Sequence, residues 1–239
     1  WNGARDAGRA ALSGLVFDAE SSVPSRLTTP ELMTVMPPPS NIIYLASKSP
    51  RRRELLKQGG IQFELLRMRE QQPRIDVDET PLHDESAHVY VQRMATLKAA
   101  TALKVMRERR LPPRLILTAD TTVTIEGNIL GKPVDRDDAV RMLKRLSGES
   151  HQVLTAVAVA TEHEVQYALS TSFVVFAPLT DDEIKRYVDS GEPMDKAGGY
   201  AVQGLAAKFI SKLSGSYSGV MGLPLYETAT LLRQCGLPV

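Results

Sequence analysis

The sequence has little of several features that would define a protein class. Its single cysteine, Cys235, excludes an internal disulfide and a metal cluster built on cysteines, and fits a reducing compartment. The 29 Lys and Arg residues nearly balance 28 Asp and Glu residues, so no overall basic field favours nucleic acid or a membrane surface. No apolar run approaches the roughly 20 residues of a membrane span. The composition predicts a cytoplasmic globular protein with no nucleic-acid or membrane partner, in which any anion site is local.

Residues 1–40 lack a sustained hydrophobic period. Their short apolar piece is followed by acidic residues and has no clean cleavage site, which disfavours a secretory signal, and the acidic residues also disfavour a transit peptide. We expect residues 1–40 to be a leader that is non-native or has no functional role, with Met36 as a candidate start. A single domain is expected over 41–239.

Strand and helix patterns are mixed through that domain. An apolar run at 41–46 predicts a buried strand, and Ser49 caps a helix that Pro50 begins and Gly59 ends. Further helices are expected over 85–109, 136–147, 181–190 and 225–235, and strands or hairpins over 61–67, 114–119, 121–130, 151–160, 165–177 and 206–215. Hairpins and crossovers both occur, which favours a mixed-sheet α/β protein over a pure parallel order.

Three arginines, Arg51, Arg52 and Arg53, fall in the first turn of the first predicted helix. A cation at this end of the helix dipole loses roughly 0.3–1 kcal/mol. Guanidinium groups and backbone N–H groups would converge there on one anion, for which phosphate is the natural candidate, and Ser47 adds a hydroxyl donor. The alternative is a solvated basic patch.

Carboxylates and lysines form the second group of candidates. Asp120 is expected at the carboxyl end of a strand, where α/β folds place ligands, and could act as a base or a metal ligand; the alternative is a turn aspartate. Lys98 lies on the apolar stripe of a helix, where a snorkelling stem is the alternative. Lys132 belongs to "GKP", which lacks the full phosphate-loop spacing. Glu79 and Glu85 precede the long helix, where they either reach a bound cation or are solvated.

The stretch "GEPMDKAGGYAVQG" is too rich in glycine and charge for a regular element. Asp195 and Lys196 precede two glycines that allow the backbone to approach a ligand closely. Gln203 ends the stretch with an amide that carries both a donor and an acceptor.

Five motifs, taken in order, resemble the Maf nucleotide pyrophosphatases over about 42–236. They are "LASKSPRRRELL", "TADTTV", "GKPVDRDDAVRMLKRLSG", "GEPMDKAGGYAVQG" and "GSYSGVMGLPL". The resemblance implies a two-lobed, inosine-triphosphatase-like α/β fold around a deep central cleft. It also implies a house-cleaning enzyme that hydrolyses nucleoside triphosphates to the monophosphate and pyrophosphate with Mg²⁺ or Mn²⁺, often as a homodimer.

The resemblance also implies roles for single residues. Asp120 would be the proton acceptor, and Lys98 and Lys132 would handle the phosphates. Arg51, Thr121 and Gln203 would set the choice of base. Ser47, Arg52 and Lys196 complete the expected substrate contacts, and Asp120 with Glu79 is the expected metal site.

The Arg, Thr and Gln combination resembles the dTTP/UTP branch of the family, which implies dTTP, UTP and modified pyrimidine triphosphates as substrates. Two alternatives stay open. One is a pyrophosphatase for 7-methyl-GTP or another non-standard triphosphate; the other is a nucleotide-binding module that inhibits septation and needs no Asp120. Gly219 departs from the family pattern, where asparagine is common.

Overall fold

The computed structural model describes residues 41–68, 70–71, 74–75 and 77–239, with backbone only at 70–71 and 74–75. The expected leader over 1–40 lies outside these residues, so its role stays a prediction. Within the described residues, no helix combines the length and apolar character needed to cross a membrane.

Nine strands and six α-helices make up the described part of the chain. The strands are β1 Ile43–Leu45, β2 Phe63–Leu65, β3 Glu70–Gln71, β4 Arg74–Ile75, β5 Ile116–Ile125, β6 Asn128–Leu130, β7 Ser150–Ala160, β8 Val165–Phe176 and β9 Ile210–Ser214. The helices are α1 Pro50–Gln58, α2 Ala87–Glu108, α3 Arg136–Leu146, α4 Asp181–Asp189, α5 Tyr217–Met221 and α6 Leu225–Gln234. Short 3₁₀ helices cover Glu192–Asp195, Ala197–Gly199 and Leu205–Phe209.

Local sequence explains most element ends. The Ser49 side chain accepts a hydrogen bond from Arg52 N and Pro50 is the first residue of α1, as predicted. Thr180 and Glu183 form the capping box of α4. Glu126 and Gly127 both have positive φ, 52° and 77°, which suits the two-residue turn between β5 and β6.

One mixed sheet organises the fold. Its strand order is β2-β1-β5-β7-β8-β9, with β6 also paired to β5. β1 pairs in parallel with β2 and β5, whereas the pairs of β5 with β6, β5 with β7, β7 with β8, and β8 with β9 are antiparallel. The predicted mixed-sheet α/β class is therefore confirmed.

Three hydrophobic clusters surround this sheet. One packs α1 and α6 on the face of β5 that carries Leu117 and Ala119. A second packs α2 on the opposite face, around Ile116. The third joins α3 and α4 to the far ends of the long strands, beginning at Val123. The middle of β5 therefore lies between two packed regions of the sheet.

The structure corrects the expected position of Asp120. β5 is one strand of ten residues that runs through Asp120, which is therefore central in the strand and not at its end. The strand continues because residues 116–124 pair without interruption with β7 and because its threonines and β-branched residues favour extended backbone.

The opposite edge of β5 is only partly covered. β1 pairs with Ile116 and Leu117, and β6 pairs with residues 123–125. Between them, residues 118–122 have no strand partner on that edge among the described residues. The edge of β5 beside Asp120 therefore has no neighbouring strand, although β5 itself continues past this residue.

Other elements also differ from the expectations. Residues 70–71 and 74–75 form the small antiparallel β3–β4 pair, which was not predicted. Residues 205–209 are a 3₁₀ turn that shortens the predicted strand, and α5 was not predicted.

Candidate active site

One lysine joins two carboxylates at the centre of the candidate site. Lys98 Nζ lies 2.7 Å from Asp120 Oδ1 and 2.6 Å from Glu79 Oε1. Asp120 is buried in β5, Lys98 extends from α2, and Glu79 comes from the loop before α2. The sequence predicted these three residues as candidates, and the structure brings them together.

Charge pairing dominates the protonation of this cluster. Burial favours neutral Lys98, but Asp120 and Glu79 outweigh it and raise the lysine pKa. Burial likewise opposes ionisation of Glu79, but Lys98, Lys132 and Arg52 lower its pKa. The ammonium and Glu79 are therefore both charged at neutral pH.

The loop that carries Glu79 is fastened to α2. The Tyr90 hydroxyl donates to the Glu79 carbonyl at 3.0 Å. Arg93 donates to both carboxylate oxygens of Glu85 at 2.6 Å and to the Thr80 carbonyl at 3.2 Å. Glu85 is therefore a partner of Arg93 in this structure, and the expectation that it reaches a cation is not supported by its position.

The other face of β5 carries a second group around Arg52. Because neighbouring residues of a strand point to opposite faces, Thr121 faces α1 whereas Asp120 faces α2. Arg52 donates to Thr121 Oγ1 at 3.2 Å, to Ser47 Oγ at 3.2 Å and to the Gly222 carbonyl at 2.7 Å. Thr155 on β7 donates to Thr121 Oγ1 at 3.0 Å or to the Gly219 carbonyl at 2.8 Å.

The Arg52 guanidinium is partly buried among its hydrogen-bond partners. Burial, with a smaller contribution from Arg51, lowers its pKa, and Asp120 acts in the opposite direction. Its Nε and one terminal nitrogen hold the neighbouring chain segments, which fixes the direction of the guanidinium fork. The predicted arginine turn thus places Arg52 beside the strand that carries Asp120.

Four predicted residues make no hydrogen bond to Asp120, Lys98 or Arg52 among the described residues. Arg51 acts on Asp195: burial opposes ionisation of Asp195, but Lys196 and Arg51 lower its pKa. Lys132 is exposed and acts on Glu79 through its charge. Lys196 pairs with Asp195 and donates to the Glu192 carbonyl at 2.7 Å. Gln203 is exposed in the turn before Leu205. The catalytic and binding roles of these residues stay predictions.

The glycines before Gln203 bring their segment against β5. Gly198 has φ 69°, and a Cβ there would lie 2.8 Å from Val123 Cγ2. Its N–H donates to the Gly131 carbonyl at 3.0 Å. Val123 lies on the same face as Thr121, so the segment carrying Lys196 and Gln203 covers the Arg52 side of the strand.

The donor set near Lys98 suits a hard divalent cation. Mg²⁺ and Mn²⁺ take oxygen ligands, and one or two carboxylates with phosphate oxygens and water are typical. Asp120 and Glu79 supply two carboxylates at one point. No group of three or more His, Cys, Asp or Glu side chains that could hold a metal occurs among the described residues.

Sequence reasoning missed two parts of this site. Thr155 belongs to the site because it lies opposite Thr121 in the pairing of β7 with β5, which local sequence patterns do not reveal. The Gly222 carbonyl accepts a hydrogen bond from Arg52, because Gly222 ends α5 in the αL conformation and turns the chain toward that side chain. Helix α5 itself was not predicted. The sequence "SYSGVMG" carried only a weak signal, a serine cap followed by glycine.

Comparisons with known proteins agree over nearly the whole domain. Residues 42–235 match the family model described as Maf-like protein. The dTTP/UTP pyrophosphatase of Aromatoleum aromaticum is 54% identical over 199 residues, covering 82% of this chain and 97% of that protein. The dTTP/UTP pyrophosphatase of Cupriavidus metallidurans is 54% identical, covering 83% of this chain and 98% of that protein.

Among solved structures, a HAM1 protein from Coxiella burnetii aligns with a TM-score of 0.47 at 16% identity. That alignment covers 82% of this chain and all of the other.

Proposed function

The chain belongs to the Maf-like protein family, and from that premise we propose that it hydrolyses dTTP and UTP to the monophosphate and pyrophosphate. The names of relatives about half identical in sequence support this substrate class. The observation that carries the chemistry is the contact of Lys98 Nζ with both Asp120 and Glu79. It places two carboxylates and one cation at the open edge of β5.

Hydrolysis at the α-phosphorus requires a proton acceptor and cations. Water attacks the phosphorus, its proton passes to a base, and the pyrophosphate oxygens gain charge as they leave. We assign the base to Asp120. Lys98 and Arg52, on the two faces of β5, are fixed cations that can stabilise the growing charge without reorganisation.

We propose Mg²⁺ or Mn²⁺ as the cofactor, with Asp120 and Glu79 as its protein ligands. When bound, the cation neutralises phosphate charge and orients the phosphates for in-line attack. With Asp120 and Glu79 holding that cation, the Lys98 ammonium would remain on the Asp120 face as a donor for a phosphate oxygen.

Base choice is proposed for the other face. Thr121, Arg51 and Gln203 belong to the side of β5 covered by the 192–205 segment, whereas Asp120, Lys98 and Glu79 belong to the α2 side. The Gln203 side chain is exposed and free to meet a base in the opening. The base would thus be read on the Thr121 side and the proton accepted on the Asp120 side, with Arg52 and Lys98 as the cations of the two sides.

A pyrophosphate-release panel tests the function. Purified protein with Mg²⁺ or Mn²⁺ is assayed on dTTP, UTP, CTP, ATP, GTP, inosine triphosphate and 7-methyl-GTP. We expect the highest kcat/KM for dTTP and UTP, with one pyrophosphate released per monophosphate. A higher kcat/KM for 7-methyl-GTP would support the sibling enzyme, and binding of UTP without turnover would support the septation module.

Homodimer formation, which the family resemblance implies, and a cytoplasmic location, which the composition predicts, remain proposals. Sedimentation of the purified protein over a concentration series tests the dimer, since a monomer at all concentrations would contradict it.

A further inference from the structure

The turn that carries Gln203 is fastened at both ends. Before it, the Tyr200 hydroxyl lies 2.8 Å from His151 Nε2, and the Tyr200 ring meets the edge of Phe176 at a centroid distance of 4.9 Å. After it, Leu205 N donates to Glu192 Oε2 at 3.0 Å. The backbone of Gln203 is therefore held on each side, although its side chain reaches solvent.

Glu192 provides the second of these attachments. Its other oxygen, Oε1, accepts a hydrogen bond from the Tyr187 hydroxyl at 2.9 Å. Tyr187 is buried in α4, where its ring meets Phe209 at 5.4 Å. One carboxylate thus links a rigid helix to the chain two residues after Gln203.

The contact between the carboxylate and the turn is close. A Cβ on Gly204 would overlap the Glu192 carboxylate in the position that it occupies here. A carboxylate with two acceptor oxygens suits this place, because both neighbours, an N–H group and a hydroxyl, are donors.

We propose that Glu192 is a positioning residue that orients Gln203 for reading the pyrimidine base. This inference rests on the proposed function, because it needs Gln203 to face the base. In this role Glu192 does not contact the substrate; its hydrogen bond to Leu205 N restricts the backbone of the turn, so that the Gln203 side chain leaves the turn from a fixed position before substrate binds. Such pre-organisation improves discrimination between bases without changing the hydrolysis step.

Kinetics of two Glu192 variants test the proposal. Glu192→Ala removes both hydrogen bonds, and we expect the ratio of kcat/KM for UTP to that for CTP to fall about tenfold or more, mainly through KM for UTP. Glu192→Gln keeps both, because its amide oxygen accepts from Leu205 N and its NH₂ group donates to the Tyr187 hydroxyl. The ratio should return to within about twofold of wild type.

Two controls separate orientation from loss of stability. Glu183→Ala breaks the capping box at the other end of α4 and lowers the melting temperature, but should leave the UTP to CTP ratio unchanged. In a Gln203→Ala background, Glu192→Ala should have no further effect on the ratio, because the amide it orients is gone.

Amide hydrogen exchange at Leu205 gives a readout that does not depend on activity. Exchange should accelerate in Glu192→Ala and stay slow in Glu192→Gln and Glu183→Ala. Unchanged exchange and an unchanged ratio in Glu192→Ala would overturn the inference, as would an equal fall of the ratio in Glu183→Ala. If wild type releases no pyrophosphate from UTP or dTTP, the proposed function fails and the role of Glu192 in base reading fails with it. The exchange data then still show whether Glu192 holds the turn.

Discussion

Lys98 connects elements that are distant in the chain, because its single ammonium pairs Asp120 of β5 with Glu79 of the loop before α2. Two carboxylates this close repel each other strongly when no cation lies between them. A cation at this point, whether it is the lysine or a bound metal, therefore relieves this repulsion. This shared position links the proposed metal site to the lysine that the family resemblance assigned to phosphate.

Asp120→Asn should reduce kcat by about 10²–10⁴-fold, because the amide cannot accept the proton of the attacking water. The fold should be retained, since Lys98 keeps its contact with Glu79 and the β5–β7 pairing does not involve the side chain. Steady-state pyrophosphate release and a thermal melt measure both expectations. Glu126→Gln, an exposed carboxylate on the adjacent turn, is the matched control. A kcat near that of wild type in Asp120→Asn would rule out the general base.

Gln203→Glu tests how the base is read. Uracil and thymine present an N3–H donor beside carbonyl acceptors, and a glutamine amide offers the complementary acceptor and donor. The carboxylate has no donor for the O4 carbonyl, so kcat/KM for UTP and dTTP should fall about ten- to a hundredfold more than for CTP. The comparison uses the ratio within one variant, which cancels general damage. A parallel fall for UTP and CTP would make Gln203 a structural residue.

At the scale of elements, the packing of the 192–205 segment against β5 requires the backbone at Gly198 to lie close to the strand. Gly198→Ala should lower stability, because a non-glycine residue at φ 69° costs about 1–2 kcal/mol and its Cβ would meet Val123. Overpacking adds about 1–3 kcal/mol. Gly131→Ala is the control, since nothing lies within 4 Å of its Cβ. Chemical unfolding measures the free energy of unfolding of both single variants and of the double variant Gly198→Ala, Val123→Ala. The double variant should recover part of the stability that Gly198→Ala loses.

The elements that the sequence predicted well are those with local signals. Ser49 caps α1 where expected, and α3 and α4 begin at the predicted residues 136 and 181 after caps at Asp135 and Thr180, because a cap is decided within four residues. The central position of Asp120 was missed because a strand continues or ends according to its partner, and β7 begins thirty residues later. The arginine turn and the carboxylates were found from residue types, but their meeting at β5 required the tertiary fold.

At the scale of the whole molecule, the buried His151 packs against Phe176 and Tyr200 of the third hydrophobic cluster. Burial, opposed weakly by the Glu149 carbonyl, lowers the pKa of His151 to about 4. Above pH 6.5, the pKa of histidine in the unfolded chain, the His151 ring is neutral in both the folded and the unfolded state. In this range the ring takes nothing from the free energy of unfolding. As pH falls below that value, the histidine binds a proton in the unfolded chain but stays neutral in the folded protein. The free energy of unfolding therefore decreases until about pH 4.

His151→Gln should reduce this acid sensitivity, because its amide oxygen can accept from the Tyr200 hydroxyl without titrating. The shift corresponds to about 3 kcal/mol between pH 6.5 and 4, so the wild-type protein should lose that much more stability than the variant across this window. Urea unfolding at several pH values measures the difference. His163→Gln, at an exposed histidine, should retain the wild-type pH dependence. Equal slopes for wild type and His151→Gln would contradict the prediction.

The continuous pairing of β5 with β7 restricts how this family member can change length during evolution. A one-residue insertion between Ile116 and Asp120 would turn every later side chain of the strand to the other face, moving Asp120 away from Lys98 and Thr121 away from Arg52. The 192–205 segment has no strand pairing to preserve. The length of that segment is constrained instead by the close approach of Gly198 to Val123 and by the hydrogen bond from Leu205 N to Glu192, whereas the length of β5 is fixed by the need to keep Asp120 and Thr121 on opposite faces of the strand.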